Sequence, residues 1–262
     1  MVKKSLRESY LLNMLKSMGQ ITTNNAMEML DVSEATARRL FAEMERSGVA
    51  VRSYGGIRLA PRTMNYSFEL NERVYSQEKQ RIGRMAAAFV EDGDTIYLDC
   101  GTTVFQMTLA LSDRIAEWEF GSLNIVTNSI ANVQAIAPSV RCRVILVGGE
   151  YDSARRDFTG PLTEKYIAPF HFTKSFFGCD GTSPRMGFSS NQVSISSLNT
   201  HVMERSDFTC VLLDGSKLNK CSLVTYARLE DVDAIVTDRE PEGEIREALV
   251  SAGVQVNVAH QE

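Results

Sequence analysis

The run Asp99-Cys100-Gly101-Thr102-Thr103 ends an apolar stretch and opens a helical pattern. Gly101 would let a ligand approach the backbone. Thr102 and Thr103 would add hydroxyls to the free N–H groups at the positive end of the helix dipole, which makes an anion cradle. Lys217, in Asp214-Gly215-Ser216-Lys217, could bring a point charge to the same anion. Asp99, Asp180 and Asp214 could accept hydrogen bonds from sugar hydroxyls. Thr127-Asn128-Ser129, Gly148-Gly149, Asp180-Gly181 and Thr237-Asp238 also stand just after apolar runs. This inventory suits a small phosphorylated sugar or polyol better than an apolar ligand. Each piece also has a plainer reading, since Gly-Thr-Thr can simply cap a helix and Asp-Gly can simply turn.

Other chemistries find less support. Asp99, Asp180 and Asp214, with Glu150 and Glu164, are nominal bases for a sugar-phosphate isomerase, but no separate glutamate stands in the loops themselves. The five cysteines, Cys100, Cys142, Cys179, Cys210 and Cys221, have no CxxC spacing and read as reduced packing residues. A redox role for Cys100 and Cys179 is a third reading, without an activating pattern behind it. His171, His201 and His260 form no HxxxH or HExxH pattern, so neither a metal nor a cofactor is expected.

A second chemistry belongs to the N-terminal part. Glu34, Ala35, Thr36, Arg38 and Arg39 open a helical pattern, where a recognition helix would present side chains to base edges and phosphates in a major groove, and Thr22 and Ser33 are expected to contact the DNA with them. Arginine suits both targets, because its planar fork pairs with guanine or with phosphate oxygens. Downstream, residues 49–59 read as two short strands around Gly55-Gly56, a wing that would carry Arg52, Tyr54 and Arg58 to the DNA backbone or minor groove. A small helical packing module with solvated arginines is the plain alternative.

The elements that would position these groups follow from periodicity. A first helix carries Leu6, Tyr10, Leu11, Met14, Leu15 and Met18 and stops at Gly19. Thr22 or Thr23 caps a second, and Ser33 caps a third whose inward face is Ala37, Leu40, Phe41 and Met44, with Gly48 as the stop. This is a helix-turn-helix over residues 1–59. Residues 60–75, with Pro61 and no sustained period, read as a linker. Residues 76–262 begin with an amphipathic helix over 77–90 and then alternate strands with helices. The strands are expected at 95–98, 124–127, 143–147, 174–177, 209–213, 234–237 and 254–258. In such an open α/β sheet, ligands bind beyond the carboxyl ends of the strands, so the polar loops should converge on one pocket.

Charge divides in the same place. Residues 1–62 hold 10 Lys and Arg against 6 Asp and Glu, or +4, and residues 63–262 hold 18 against 27, or −9, which together give the net −5. A basic head on an acidic body suggests that the head meets a polyanion. The 262 residues allow two domains, and 44% hydrophobic with 23% charged residues excludes a disordered or collagen-like chain. No apolar run is long enough for a membrane span and the first residues do not resemble a signal peptide, so a cytoplasmic protein is expected, with no membrane partner.

The run MLDVSEATARRLFAEMERSGVAVRSYGGI resembles the N-terminal signature of DeoR-type bacterial transcriptional regulators, with a valine-serine corner, an arginine pair and a wing ending in tandem glycine. Where that family usually has Thr-Ile-Arg-Arg-Asp-Leu, this chain has Thr36-Ala37-Arg38-Arg39-Leu40-Phe41, so Leu40 replaces an acid. Phe68, Arg73, Glu78-Lys79, DCGTT, VTNS, VGG, the Asp-Gly after a strand, Asp-x-Ser-Lys and VTD are similar in order to the family's C-terminal domain. The resemblance implies a winged helix-turn-helix followed by a Rossmann-like α/β domain similar in fold to ribose-5-phosphate isomerase. It further implies a phosphate at residues 101–103, sugar contacts from Asp99, Asp180 and Lys217, and a ligand-controlled regulator, most often a repressor, of carbohydrate genes. Many relatives carry a lysine in the helix where this chain runs Asn199-Thr200-His201-Val202. Double-stranded operator DNA, a phosphorylated sugar and further copies of the chain are the expected partners, since a near-palindromic site calls for at least a dimer.

Overall fold

The computed structural model describes residues 2–46, 50–59, 66–136 and 140–261. Two compact units divide the chain, Met1–Ser76 and Gln77–Glu262.

In the first unit, α1 (Val2–Met18) closes on Gly19, whose φ of 75° suits glycine and whose N–H donates to the Leu15 carbonyl at 2.8 Å. A short strand, β1 (Gln20–Thr22), leads without a loop into α2 (Thr23–Leu30), capped by Thr22, which accepts the Asn25 N–H. Asp31 turns the corner in the left-handed region at φ 49°, which short polar residues tolerate. Ser33 then accepts the Thr36 N–H and starts α3 (Glu34–Arg46). Ala37, Leu40, Phe41 and Met44 of α3 are buried with Leu11, Leu15, Ile21, Ala26 and Ile57. The expected stop at Gly48 lies outside the described residues.

The wing strands are β2 (Ala50–Ser53) and β3 (Gly56–Leu59). They form an antiparallel sheet in the order β1-β3-β2, with Ile57 opposite both Ile21 and Arg52. The sequence pattern did not reveal β1. Its approach to β3 requires Gly56, because a Cβ there would lie 2.2 Å from the Ile21 carbonyl oxygen. Within the stretch read as a linker, Ser67 caps α4 (Phe68–Arg73), and Phe68 is buried.

The second unit begins with α5 (Ser76–Ala87), followed by β4 (Thr95–Leu98), α6 (Thr102–Ala116), β5 (Leu123–Thr127), α7 (Ile130–Ala135) and β6 (Cys142–Leu146). A hairpin, β7 (Glu150–Asp152) and β8 (Asp157–Thr159), precedes α8 (Pro161–Ile167) and β9 (Lys174–Gly178). Next come β10 (Gly181–Ser183), β11 (Gly187–Ser190), α9 (Val193–Met203), β12 (Thr209–Leu212) and β13 (Val224–Ala227). The unit ends with β14 (Ala234–Thr237), α10 (Glu244–Ser251) and β15 (Gln255–Val258).

Seven strands pair in parallel in the order β15-β14-β12-β9-β4-β5-β6. They are the seven expected, within a residue or so at their ends. Alternation splits their apolar residues between two cores: Ile96, Leu98, Ile125, Phe176 and Leu212 pack on one face with Ile82, Met107 and Leu111, while Tyr97, Val126, Phe177, Val211 and Ile235 pack on the other with Leu198, Ile245 and Leu249. A parallel sheet covered on both faces needs such unbroken apolar strands. Five strands were not expected: β7 and β8, and the antiparallel sheet β10-β11-β13. No helix among the described residues is long and apolar enough to cross a membrane.

From β4 the chain steps through β5 to the β6 edge, then returns to β9 on the opposite side of β4 and continues outward. The strand order therefore reverses between β4 and β9. Open α/β sheets bind ligands at such a reversal, beyond the carboxyl ends of the strands.

Candidate functional site

The loops after β4 and β9 meet at this reversal. The Asp99 N–H donates to the Phe176 carbonyl at 3.0 Å, and Asp99 Oδ2 accepts the Gly178 N–H at 3.1 Å. A Cβ on Gly101 would sit 3.5 Å from Gly178 Cα, so the two backbones are nearly in contact. Gly101 is also the N-cap of α6 and supplies no side-chain hydrogen bond, so the first-turn N–H groups are left uncapped by it.

Lys79 joins them from α5. Its ammonium, on a residue only 5% exposed, donates to Thr102 Oγ1 at 3.0 Å. Its reach depends on Gly83, one turn further along α5, where a Cβ would come within 2.5 Å of the Gln106 and Met107 backbone. The helices thus meet backbone to backbone at Gly83, and the Lys79 ammonium stands beside the start of α6. The N–H groups at a helix start favour a bound anion. The sequence reading placed Thr102 and Thr103 here but gave Lys79 no role.

A second group comes from the β7–β8 hairpin, which is fastened to the turn after β5: the Phe158 N–H donates to the Asn128 carbonyl at 2.8 Å and the Ile130 N–H to the Arg156 carbonyl at 3.0 Å. Arg155 Nε donates to Asp157 Oδ2 at 3.0 Å, and Arg155 Nη2 lies 3.7 Å from Cys100 Sγ. Burial pushes the carboxyls of Asp99 and Asp157 up, against the pull of the Gly178 N–H on the first and of Arg155 on both. Asp99 Oδ1 and Asp157 Oδ1 are buried with no hydrogen-bond partner. Leaving such an oxygen unpaired costs ~1–3 kcal/mol or more. Burial also holds the Cys100 and Cys179 thiols well above their usual range, which keeps them protonated and argues against the redox reading.

The remaining expected residues divide into neighbours and framework. Lys217 ends a 3-10 turn capped by Asp214, near enough for its charge to act on Cys179 in the loop after β9. Asp180 Oδ2 accepts the Asn191 N–H at 2.8 Å and ties that loop to the end of β11. A Cβ on Gly181 would meet the Lys220 carbonyl at 2.6 Å. Thr127, Asn128 and Ser129 are fully buried: Thr127 Oγ1 donates to the Leu98 carbonyl, Asn128 bonds Tyr97 and Phe158, and Ser129 accepts the Asn132 N–H. Gly148 accepts from Thr163 Oγ1, and a Cβ on Gly149 would fall 1.9 Å from that same oxygen. These two glycines seat α8. On α9, Asn199 is fully buried with neither amide atom hydrogen-bonded.

On the first unit, Arg38 and Arg39 are exposed on α3, and Arg38 pairs with Glu34 one turn earlier at 2.7 Å. Leu40, which stands where the resembling family has an acid, is 2% exposed and belongs to the core. Arg52 pairs with Glu45 at 3.0 Å, Arg58 is exposed, and Tyr54 at the wing turn is fully solvated. Ala35 is exposed and Thr36 half-buried, whereas Thr22 and Ser33 spend their hydroxyls as helix caps.

Known proteins match both units. Residues 7–63 match the DeoR-like helix-turn-helix domain and residues 75–239 the DeoR C terminal sensor domain. The HTH-type transcriptional repressor GlcR of Bacillus subtilis is 28% identical over 96% of this chain and 95% of its own length. The lactose phosphotransferase system repressor of Staphylococcus epidermidis is 30% identical over 84% of this chain and 86% of its own. A solved ribose 5-phosphate isomerase from Methanocaldococcus jannaschii is similar with a TM-score of 0.41 and 18% identity over 55% of each chain. With a winged helix-turn-helix ahead of a parallel α/β unit, and family matches across both, this chain belongs to the DeoR family of transcriptional regulators.

Proposed function

We propose that the protein is a cytoplasmic repressor of carbohydrate genes, without catalytic activity of its own, that releases operator DNA when a phosphorylated sugar binds its second unit. The observation that carries this reading is the buried Lys79 ammonium on Thr102 at the uncapped start of α6, beside the β4–β9 reversal. The phosphate sits against residues 101–103, with Lys79 and Lys217 supplying charge, and Asp99 and Asp180 face the sugar. Thr127, Asn128, Ser129, Gly148 and Gly149 shape the crevice from behind, because their polar groups and free volume are already spent within the fold.

Arg38 and Arg39 enter a major groove, with Arg52, Tyr54 and Arg58 on the adjacent backbone or minor groove. Two copies of the chain would read half-sites about 34 Å apart. The effector acts by binding the DNA-competent and DNA-incompetent arrangements unequally, at an ordinary coupling of ~1–3 kcal/mol.

Thermal unfolding against a panel of sugar phosphates and their unphosphorylated parents tests the reading. A ligand of the folded state stabilises by ~2.7 kcal/mol at 100 Kd. One phosphate should raise the transition and weaken operator binding in the same concentration range, while its parent does neither. No shift with any phosphate would overturn the assignment.

A further inference from the structure

The first two turns of α3 carry a carboxylate and a guanidinium that hold each other in the open. Glu34 is the first residue of the helix and Arg38 follows one turn on, with side chains 56% and 62% exposed. Arg38 Nε donates to Glu34 Oε1 at 2.8 Å, and Arg38 Nη2 stands 2.7 Å from the same oxygen. One carboxylate oxygen thus engages one edge of the guanidinium, and no other bond of these two side chains occurs among the described residues. The outer edge, Nη1 and Nη2, keeps N–H groups to donate, and Glu34 Oε2 remains beside it to accept. An exposed pair of this kind contributes little to a fold. It does fix the plane of Arg38 before any partner arrives.

We propose that Glu34 and Arg38 read one G·C base pair as a unit: Arg38 donates through its outer edge to guanine N7 and O6, and Glu34 Oε2 accepts from the N4 amine of the paired cytosine. The inference rests on α3 lying in a major groove, as proposed above. There a G·C pair presents two acceptors on guanine and then a donor on cytosine, an order that sets it apart from every other pair. Two donors followed by an acceptor are its complement. Glu34 also repels phosphate, so this flank of α3 gains little from DNA of arbitrary sequence. Arg39, exposed on the same helix, makes no ion pair among the described residues and is left for the phosphate backbone. Neighbouring arginines in one motif therefore divide the work, one specifying and one gripping.

The test selects binding sites for the full chain from a library of random DNA duplexes, then measures affinity for the selected sequence, its single-pair variants and a random duplex. Each selected half-site should contain a G·C pair at which any other pair costs the wild type about tenfold. Glu34→Ala, with a melting curve to report the fold, should bind the random duplex at least as tightly as the wild type and lose about tenfold of the preference at that pair. Arg38→Ala should lose discrimination at the same pair. Replacing its cytosine with 2-pyrimidinone, which lacks the amine, isolates the contact of Glu34: the wild type should weaken severalfold and Glu34→Ala should not change. A Glu34→Ala chain that keeps the wild-type preference at every position, or a wild type indifferent to the missing amine, overturns the proposal. If the wild type selects no sequence at all, the placement of α3 in a major groove fails, and this proposal with it.

Discussion

Lys79 is buried and donates to Thr102 Oγ1 at 3.0 Å, beside the start of α6. A phosphate at that helix start would lie within reach of the ammonium. Lys79→Met, which keeps the stem and removes the charge, should therefore abolish the stabilisation by a phosphorylated ligand while operator binding in its absence is kept; a thermal shift and a DNA titration read both. The carboxyls make an opposite claim on pH. Asp99 and Asp157 titrate above their unfolded value of 3.8, so from that value upward the folded chain holds protons that the unfolded chain has released. Their contribution to stability falls as pH rises through this window and levels off above the folded values. Asp94 runs the other way: burial works to raise it, but Lys174 at 2.8 Å and the Glu91 N–H outweigh that, so its stabilisation is present above 3.8 and lost as pH falls through the depressed folded value. Melting temperatures across pH should decline less steeply on the rising limb in Asp157→Asn than in the wild type. On α3, Arg39→Ala should weaken operator binding and, if a phosphate contact is lost, reduce the salt slope by about one.

Elements were legible where their residues repeat a pattern and hidden where they do not. The inner parallel strands carry apolar runs closed by polar loops, such as Thr95-Ile96-Tyr97-Leu98 before Asp99, because both faces of the sheet are covered there, while the edge strand Gln255-Val256-Asn257-Val258 alternates. The strand Gln20-Ile21-Thr22 has one buried residue between two exposed ones, and Gly181-Thr182-Ser183 has no large apolar side chain at all, so neither stood out from a turn. The same limit applies to the site. Asp99 to Thr103 is one continuous run and could be read as a cradle, but Arg155 and Asp157 look like a solvated charge cluster until the hairpin folds them against Cys100. Lys79 reads as one more polar position on an amphipathic helix, and only the contact allowed by Gly83 turns it inward. Gly83→Ala tests that contact directly. It should lower stability by ~1–3 kcal/mol, as overpacking commonly does, and weaken the phosphate response with it, since α5 must back away from α6. Calorimetry with and without ligand separates the two effects.

Across the whole molecule, charge assigns the two tasks to two places. The first 62 residues are net positive and the remainder net negative, so the fall of operator affinity with salt should be set by the first unit, at a logarithmic slope of about −0.9 for each phosphate contacted. Charge-reversing substitutions on the second unit away from the crevice should leave that slope unchanged, which a titration at several salt concentrations would show. Within the first unit, both the Thr23 N–H and its hydroxyl bond the Gly55 carbonyl, at 2.9 and 3.0 Å, and so tie the first turn of α2 to the tip of the wing. The wing and the helix pair consequently work as the two jaws of a caliper with a locked hinge. A fixed gauge measures as well as grips: an operator with one extra base pair between the stretches the two jaws touch would be refused even though every contacted base is still present.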